Sequence, residues 1–102
     1  MALPRTLPGS DPAWHLYVVR TADPDPLGAA LRQMGIGARS YYRPPVHEQP
    51  AMQEFAPAHP LPGTEQATHT NLAIPMHPAL NHADIAEVVR GVRRHLTAAA
   101  AL

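Results

Sequence analysis

An α+β domain is predicted, with a small antiparallel or mixed three-stranded sheet and helices packed mainly on one of its faces. Three observations predict it. Short β-branched or aromatic runs alternate with helical patterns along the chain. Two of those patterns carry apolar residues at i, i+3, i+4 and i+7, the spacing of an amphipathic helix. The length, 102 residues, suits one small domain.

Residues 1–12 are rich in proline and are expected to form a flexible N-terminal segment before a domain spanning 13–102. His15 to Arg20 reads His-Leu-Tyr-Val-Val-Arg, a strand composition, with Leu16 and Val18 on one face. Asp23-Pro24-Asp25-Pro26 is a helix start, because aspartate caps and proline is tolerated in the first turn. Leu27, Ala30, Leu31 and Met34 supply that helix's apolar face, and Gly35 stands where a terminating glycine is needed.

Ala38 to Tyr42 follows as a second strand, stopped by Pro44 and Pro45. Gln49 to Phe55 suits a short helix, and Pro57, Pro60 and Pro62 suit an extended loop. Thr64 to Asn71 is expected to be a marginal helix, since threonine loses side-chain freedom there. Leu72 to Met76 is a short strand limited by Pro75. Asn81 is a good N-cap, with Asp84 near the positive helix end. Ile85, Val88, Val89, Val92 and Leu96 then form the longest apolar stripe.

Composition excludes several functions. The net charge is zero with histidine neutral, against the basic excess that nucleic acid or anionic membrane requires. No cysteine is present, so disulfides, thiolate metal sites and cysteine nucleophiles are excluded. No apolar run is long enough to span a membrane, and the first residues lack a secretory h-region; a cytoplasmic location is expected. The seven histidines are scattered, and His47-Glu48 fails the His-Glu-x-x-His zinc pattern because position 51 is alanine. No metal site is expected. The only serines, Ser10 and Ser40, give no ground for a Ser–His–Asp arrangement. All eight basic side chains are arginines, so these residues offer no lysine amine.

The polar excursion from Tyr41 to Phe55 is the candidate site. Prolines fix its backbone around two tyrosines, an arginine and a histidine, and function is often carried on such loops. Its sequence, with the pieces around it, resembles the C-terminal small domain of the DegT/DnrJ/StrS family of pyridoxal-phosphate-dependent sugar aminotransferases. The resemblance rests on the strand His15–Arg20, Gly35-Ile36-Gly37, the segment Tyr42-Arg43-Pro44-Pro45-Val46-His47-Glu48-Gln49-Pro50, the element Leu72-Ala73-Ile74-Pro75-Met76-His77-Pro78 and the helix Ile85–Leu96. These pieces stand in order from about Ala13 to Thr97.

The resemblance implies a role in nucleotide-sugar and antibiotic biosynthesis. It implies substrate-binding roles for His47, Tyr42 and Arg43, with His47 on a sugar hydroxyl or phosphate and Arg43 a bidentate phosphate donor. It implies no catalytic residue here. The family's Schiff-base lysine lies in a large domain, so pyridoxal phosphate would be bound only in combination with one. Two functions follow: the substrate-side wall of an aminotransferase whose lysine-bearing large domain is on another chain, inactive alone, or a non-catalytic interaction module or truncated remnant that associates with itself or another protein.

Overall fold

A computed structural model describes residues 1–101. Its order is β1 (Tyr17–Arg20), α1 (Pro24–Gln33), two 3-10 turns (Val46–Glu48 and Pro50–Phe55), α2 (Pro62–Thr70), β2 (Asn71–Ile74) and α3 (His82–Ala100). The fold is α+β, as the sequence predicts.

β1 and β2 pair antiparallel, with Val19 opposite Leu72 and Tyr17 opposite Ile74. Residues directly opposite share a face. That face meets Leu27 and Leu31 of α1, Ile36, and Val92 of α3, forming the core. The buried face of β1 is therefore the Tyr17/Val19 face. Leu16 and Val18, expected on one face, lie on the opposite one, and Leu16 is exposed. The reason is register: the pairing of Val19 with Leu72, more than fifty residues away, fixes which side faces the helices.

The regular sheet has two strands. Isolated bridges extend it at both edges: Ala2 pairs with Arg20 beside β1, and Arg39 pairs with Ala73 beside β2. The second predicted strand, Ala38–Tyr42, contracts to that one bridge. Beyond Arg39 the ladder is replaced by bonds from Ser40 and Tyr41 to Asn71.

Local sequence explains the helix ends. Past the last turn of α1, Gly35 takes φ +75°, a conformation that glycine adopts without strain. The Gly35 N–H donates to the Arg32 carbonyl and the Ile36 N–H to the Leu31 carbonyl, each at 3.0 Å, which is a Schellman closure. Leu31 and Ile36 both enter the core, so the cap is also an apolar contact. At the start of α3 the Asn81 side chain accepts from the Asp84 N–H and the Asp84 carboxylate accepts from the Asn81 N–H, both at 3.0 Å.

α1 and α3 approach closely at Gly91. A Cβ there would lie 2.9 Å from Leu31 Cδ2 and 3.1 Å from Met34 Sδ. Val88, Val92 and Leu96 of α3 turn inward, whereas Ile85 and Val89, expected on the same stripe, remain exposed.

The chain exposes 7666 Å². A compact monomer of 11.0 kDa exposes only about 5,600 Å². The radius of gyration is 15.8 Å, against about 13 Å for a compact domain of this length. Exposed apolar side chains stand on the excursion between α1 and α2 (Tyr42, Val46 and Phe55) and in the N-terminal segment (Met1, Leu3 and Leu7).

Candidate functional site

The site is a strap, Ser40 to Glu48, held at defined points and open elsewhere. Its main anchor is Asn71, the first residue of β2, which is 7% exposed. A helix ends with carbonyls that lack partners. The Asn71 Nδ2 donates to two of these in α2, the carbonyls of Ala67 (2.8 Å) and Thr68 (3.3 Å). Its Oδ1 accepts from the Tyr41 N–H at 2.8 Å, and its backbone carbonyl accepts from the Ser40 hydroxyl at 2.8 Å. One buried amide thus finishes a helix and fixes the entry to the strap. This also explains why α2, marginal by propensity, is regular: Asn71 closes its end, and the Thr70 hydroxyl donates back to the Gln66 carbonyl at 2.8 Å.

Arg43 is the second anchor. Its Nη1 donates to the Asp25 carboxylate at 2.5 Å, and its Nη2 donates to the Thr68 carbonyl at 3.1 Å. The guanidinium joins the first turn of α1 to the last turn of α2. Glu48 and Glu65 line the hollow beside it. Both terminal nitrogens of this guanidinium, the donors that the bidentate phosphate contact expected from the sequence would use, bond within the chain. Its geometry is that of a tie.

Between these anchors Tyr42 turns outward, 59% exposed, while Tyr41 is less so. The two rings meet edge to face, with centroids 5.5 Å apart and planes at 83°. The peptide bonds Tyr41–Tyr42 and Arg43–Pro44 are cis.

His47 lies on the 3-10 turn that follows, with its side chain 21% exposed and Nε2 3.7 Å from Glu48 Oε1. It is the partition between two hollows. One, of about 540 Å³, is lined by Tyr41, Tyr42, Val46, Met52, Phe55 and Thr64. The other, of about 550 Å³, is lined by Glu48, Gln53, His59, Leu61 and Glu65. Each is of the size that holds a small organic ligand. The first offers aromatic faces and the His47 ring; the second offers carboxylates, an amide and imidazoles.

Tyr42 and His47 therefore line one hollow, and Arg43 stands behind them. The residues not anticipated from the sequence are those that hold the strap: Asp25, Thr68 and Asn71. Only Asn71 had a local signal, a polar residue at the junction of a helical and a strand pattern.

These residues do not fit a pyridoxal phosphate site. The chain has no lysine to form the imine. Among the described residues no three His, Asp or Glu side chains are grouped to hold a metal. No described helix is long and apolar enough to cross a membrane.

A family model described as the DegT/DnrJ/EryC1/StrS aminotransferase family matches residues 2–93. The dTDP-3-amino-3,4,6-trideoxy-alpha-D-glucose transaminase of Streptomyces venezuelae is 37% identical over 94 residues, 91% of this chain and 25% of its own length. Among solved structures, a DegT DnrJ EryC1 StrS aminotransferase from Brucella abortus superposes with a TM-score of 0.82 at 33% identity. S. venezuelae DesV in complex with a ketimine intermediate superposes with a TM-score of 0.84 at 37% identity. In both, the match covers 91% of this chain and 25% of the solved one. The chain spans about a quarter of the length of the relatives it matches.

Proposed function

Because the chain belongs to the DegT/DnrJ/EryC1/StrS aminotransferase family, we propose that it forms the substrate-side wall of a pyridoxal-phosphate-dependent aminotransferase acting on a nucleotide-linked deoxy- or aminosugar. The observation that carries this reading is the strap itself: a rigidly anchored backbone presents an exposed tyrosine and a half-buried histidine to one open hollow. Tyr42 supplies a hydroxyl and a ring face; His47 supplies an imidazole that can donate to, or accept from, a sugar hydroxyl or phosphate. Arg43 keeps both in place. The cofactor supplies the amino-transfer chemistry from polypeptide outside these residues, and no bond-making step is assigned to this chain. Alone it is inactive.

The excess of exposed surface supports the need for a covering partner, for which a lysine-bearing large domain is our candidate. The same surface also favours a second reading, an interaction module that associates with itself.

One experiment separates the two. The S. venezuelae relative, truncated of its matching quarter, is mixed with this chain, pyridoxal phosphate, a nucleotide sugar and an amino donor. We expect a sedimenting complex and transamination by the mixture, with neither polypeptide active alone. Self-association without complex or turnover supports the module and removes the aminotransferase reading.

A further inference from the structure

Asp25 lies in the first turn of α1, eighteen residues before its partner on the strap, and its side chain is 76% exposed. Nothing in its position suggests a role in substrate contact. Its carboxylate nevertheless receives the Arg43 guanidinium, whose other terminal nitrogen holds the Thr68 carbonyl. Arg43 is followed by Pro44 and the buried Pro45, and then by the turn that carries His47. It is preceded by Tyr42. Asn71 fixes the strap only at Ser40 and Tyr41. From Tyr42 onward, Arg43 is the side chain that bonds the strap to the two helices.

We propose that Asp25 is a positioning residue for the substrate wall, acting through Arg43 to set where Tyr42 and His47 stand. This rests on the reading of the strap as that wall. The physical argument is one of stiffness. The guanidinium is planar and its donors form a fixed fork, so holding two of its nitrogens on two elements fixes the orientation of the residue that bears it. With the Asp25 carboxylate gone, one arm of the fork is lost and only the bond to Thr68 remains. The neighbouring carboxylates Glu48 and Glu65 line the hollow beside Arg43 and would compete for the released guanidinium, drawing it away from α1. His69 lines the same hollow. An exposed pair of this kind adds little to global stability. Its effect is therefore expected locally, in the strap.

The test is amide hydrogen exchange on the 102-residue chain, with Asp25→Ala, Asp25→Glu and Arg43→Ala variants. Asp25→Ala should speed exchange about two- to fivefold at the amides of Glu48 and Gln49, which bond to the Pro45 and Val46 carbonyls, and leave those of Val19 and Leu72 unchanged. Arg43→Ala should do at least as much, and Asp25→Glu should restore protection. In the unaltered chain, about 1 M salt should reproduce Asp25→Ala, since the pair is exposed and the Debye length falls to about 3 Å. The His47 ring resonances should move with the same variants. Unchanged exchange, an equal rise across strap and sheet, or failure of Asp25→Glu to restore protection would each overturn the proposal. In the reconstituted enzyme, Asp25→Ala should raise KM for the nucleotide sugar and leave that for the amino donor. Local loosening without a change in KM would instead sink the substrate-wall reading while leaving the tie intact.

Discussion

Asn71→Ala is expected to destabilise the chain by about 2–4 kcal/mol and to release the strap. The substitution removes every side-chain bond of a residue that is 7% exposed. The Tyr41 N–H loses its acceptor, and the Ala67 and Thr68 carbonyls each lose one donor while keeping the Asn71 N–H and Arg43 Nη2 respectively. The orphaned Tyr41 N–H costs about 1–3 kcal/mol and each of the two lost carbonyl bonds about 0.5–1.5 kcal/mol, which together account for the estimate. Asn71→Asp should fare no better at neutral pH. It keeps the acceptor for Tyr41 but sets a carboxylate against two carbonyls at the negative end of α2. Urea unfolding checks the global loss. Exchange at Tyr41 checks the local one, which should exceed that at β1.

Leu31→Ala should cost about 2–5 kcal/mol. Leu31 is fully buried among residues of β1, β2, α1 and α3, and it also closes the Schellman cap against Ile36. The facing residue on α3 is Gly91, which has no side chain to move into the space. The cavity therefore stays largely open, which places the expected loss toward the upper end of the range. A small domain has only about 5–15 kcal/mol in total. The melting temperature should fall by about 10–30 °C, measured by circular dichroism. Tyr42 and His47, outside this core, offer no such lever on stability.

The local features of the fold were legible in the sequence. The α1 stripe, Gly35 at its end and the Asn81/Asp84 box depend on neighbours within a few residues, and the structure has all three. What was not legible was set by partners far along the chain. Which face of β1 is buried follows from its register with β2, which its own residues do not set. The predicted second strand shrank because Ser40 and Tyr41 bond to Asn71 rather than to a ladder. α2 exceeded its weak propensity because the same asparagine closes it. The site divides in the same way. The prolines marked the excursion from Tyr41 to Phe55, and the family resemblance singled out Tyr42 and His47 within it. The partners of Arg43 lie 18 and 25 residues away, and no local pattern connects them. Exposed apolar residues, Phe55 among them at 67%, are likewise ambiguous in a sequence, where they read as core.

The central claim is that Tyr42 and His47 face the nucleotide sugar while the amino-transfer chemistry resides elsewhere. Steady-state kinetics of His47→Ala in the reconstituted enzyme tests it most directly. Loss of a hydrogen bond to a charged or hydroxyl group of the substrate corresponds to about ten- to a hundredfold. The account predicts a rise of that size in KM for the nucleotide sugar, with KM for the amino donor unchanged. An unchanged KM for the nucleotide sugar, in a variant that assembles normally, would contradict it.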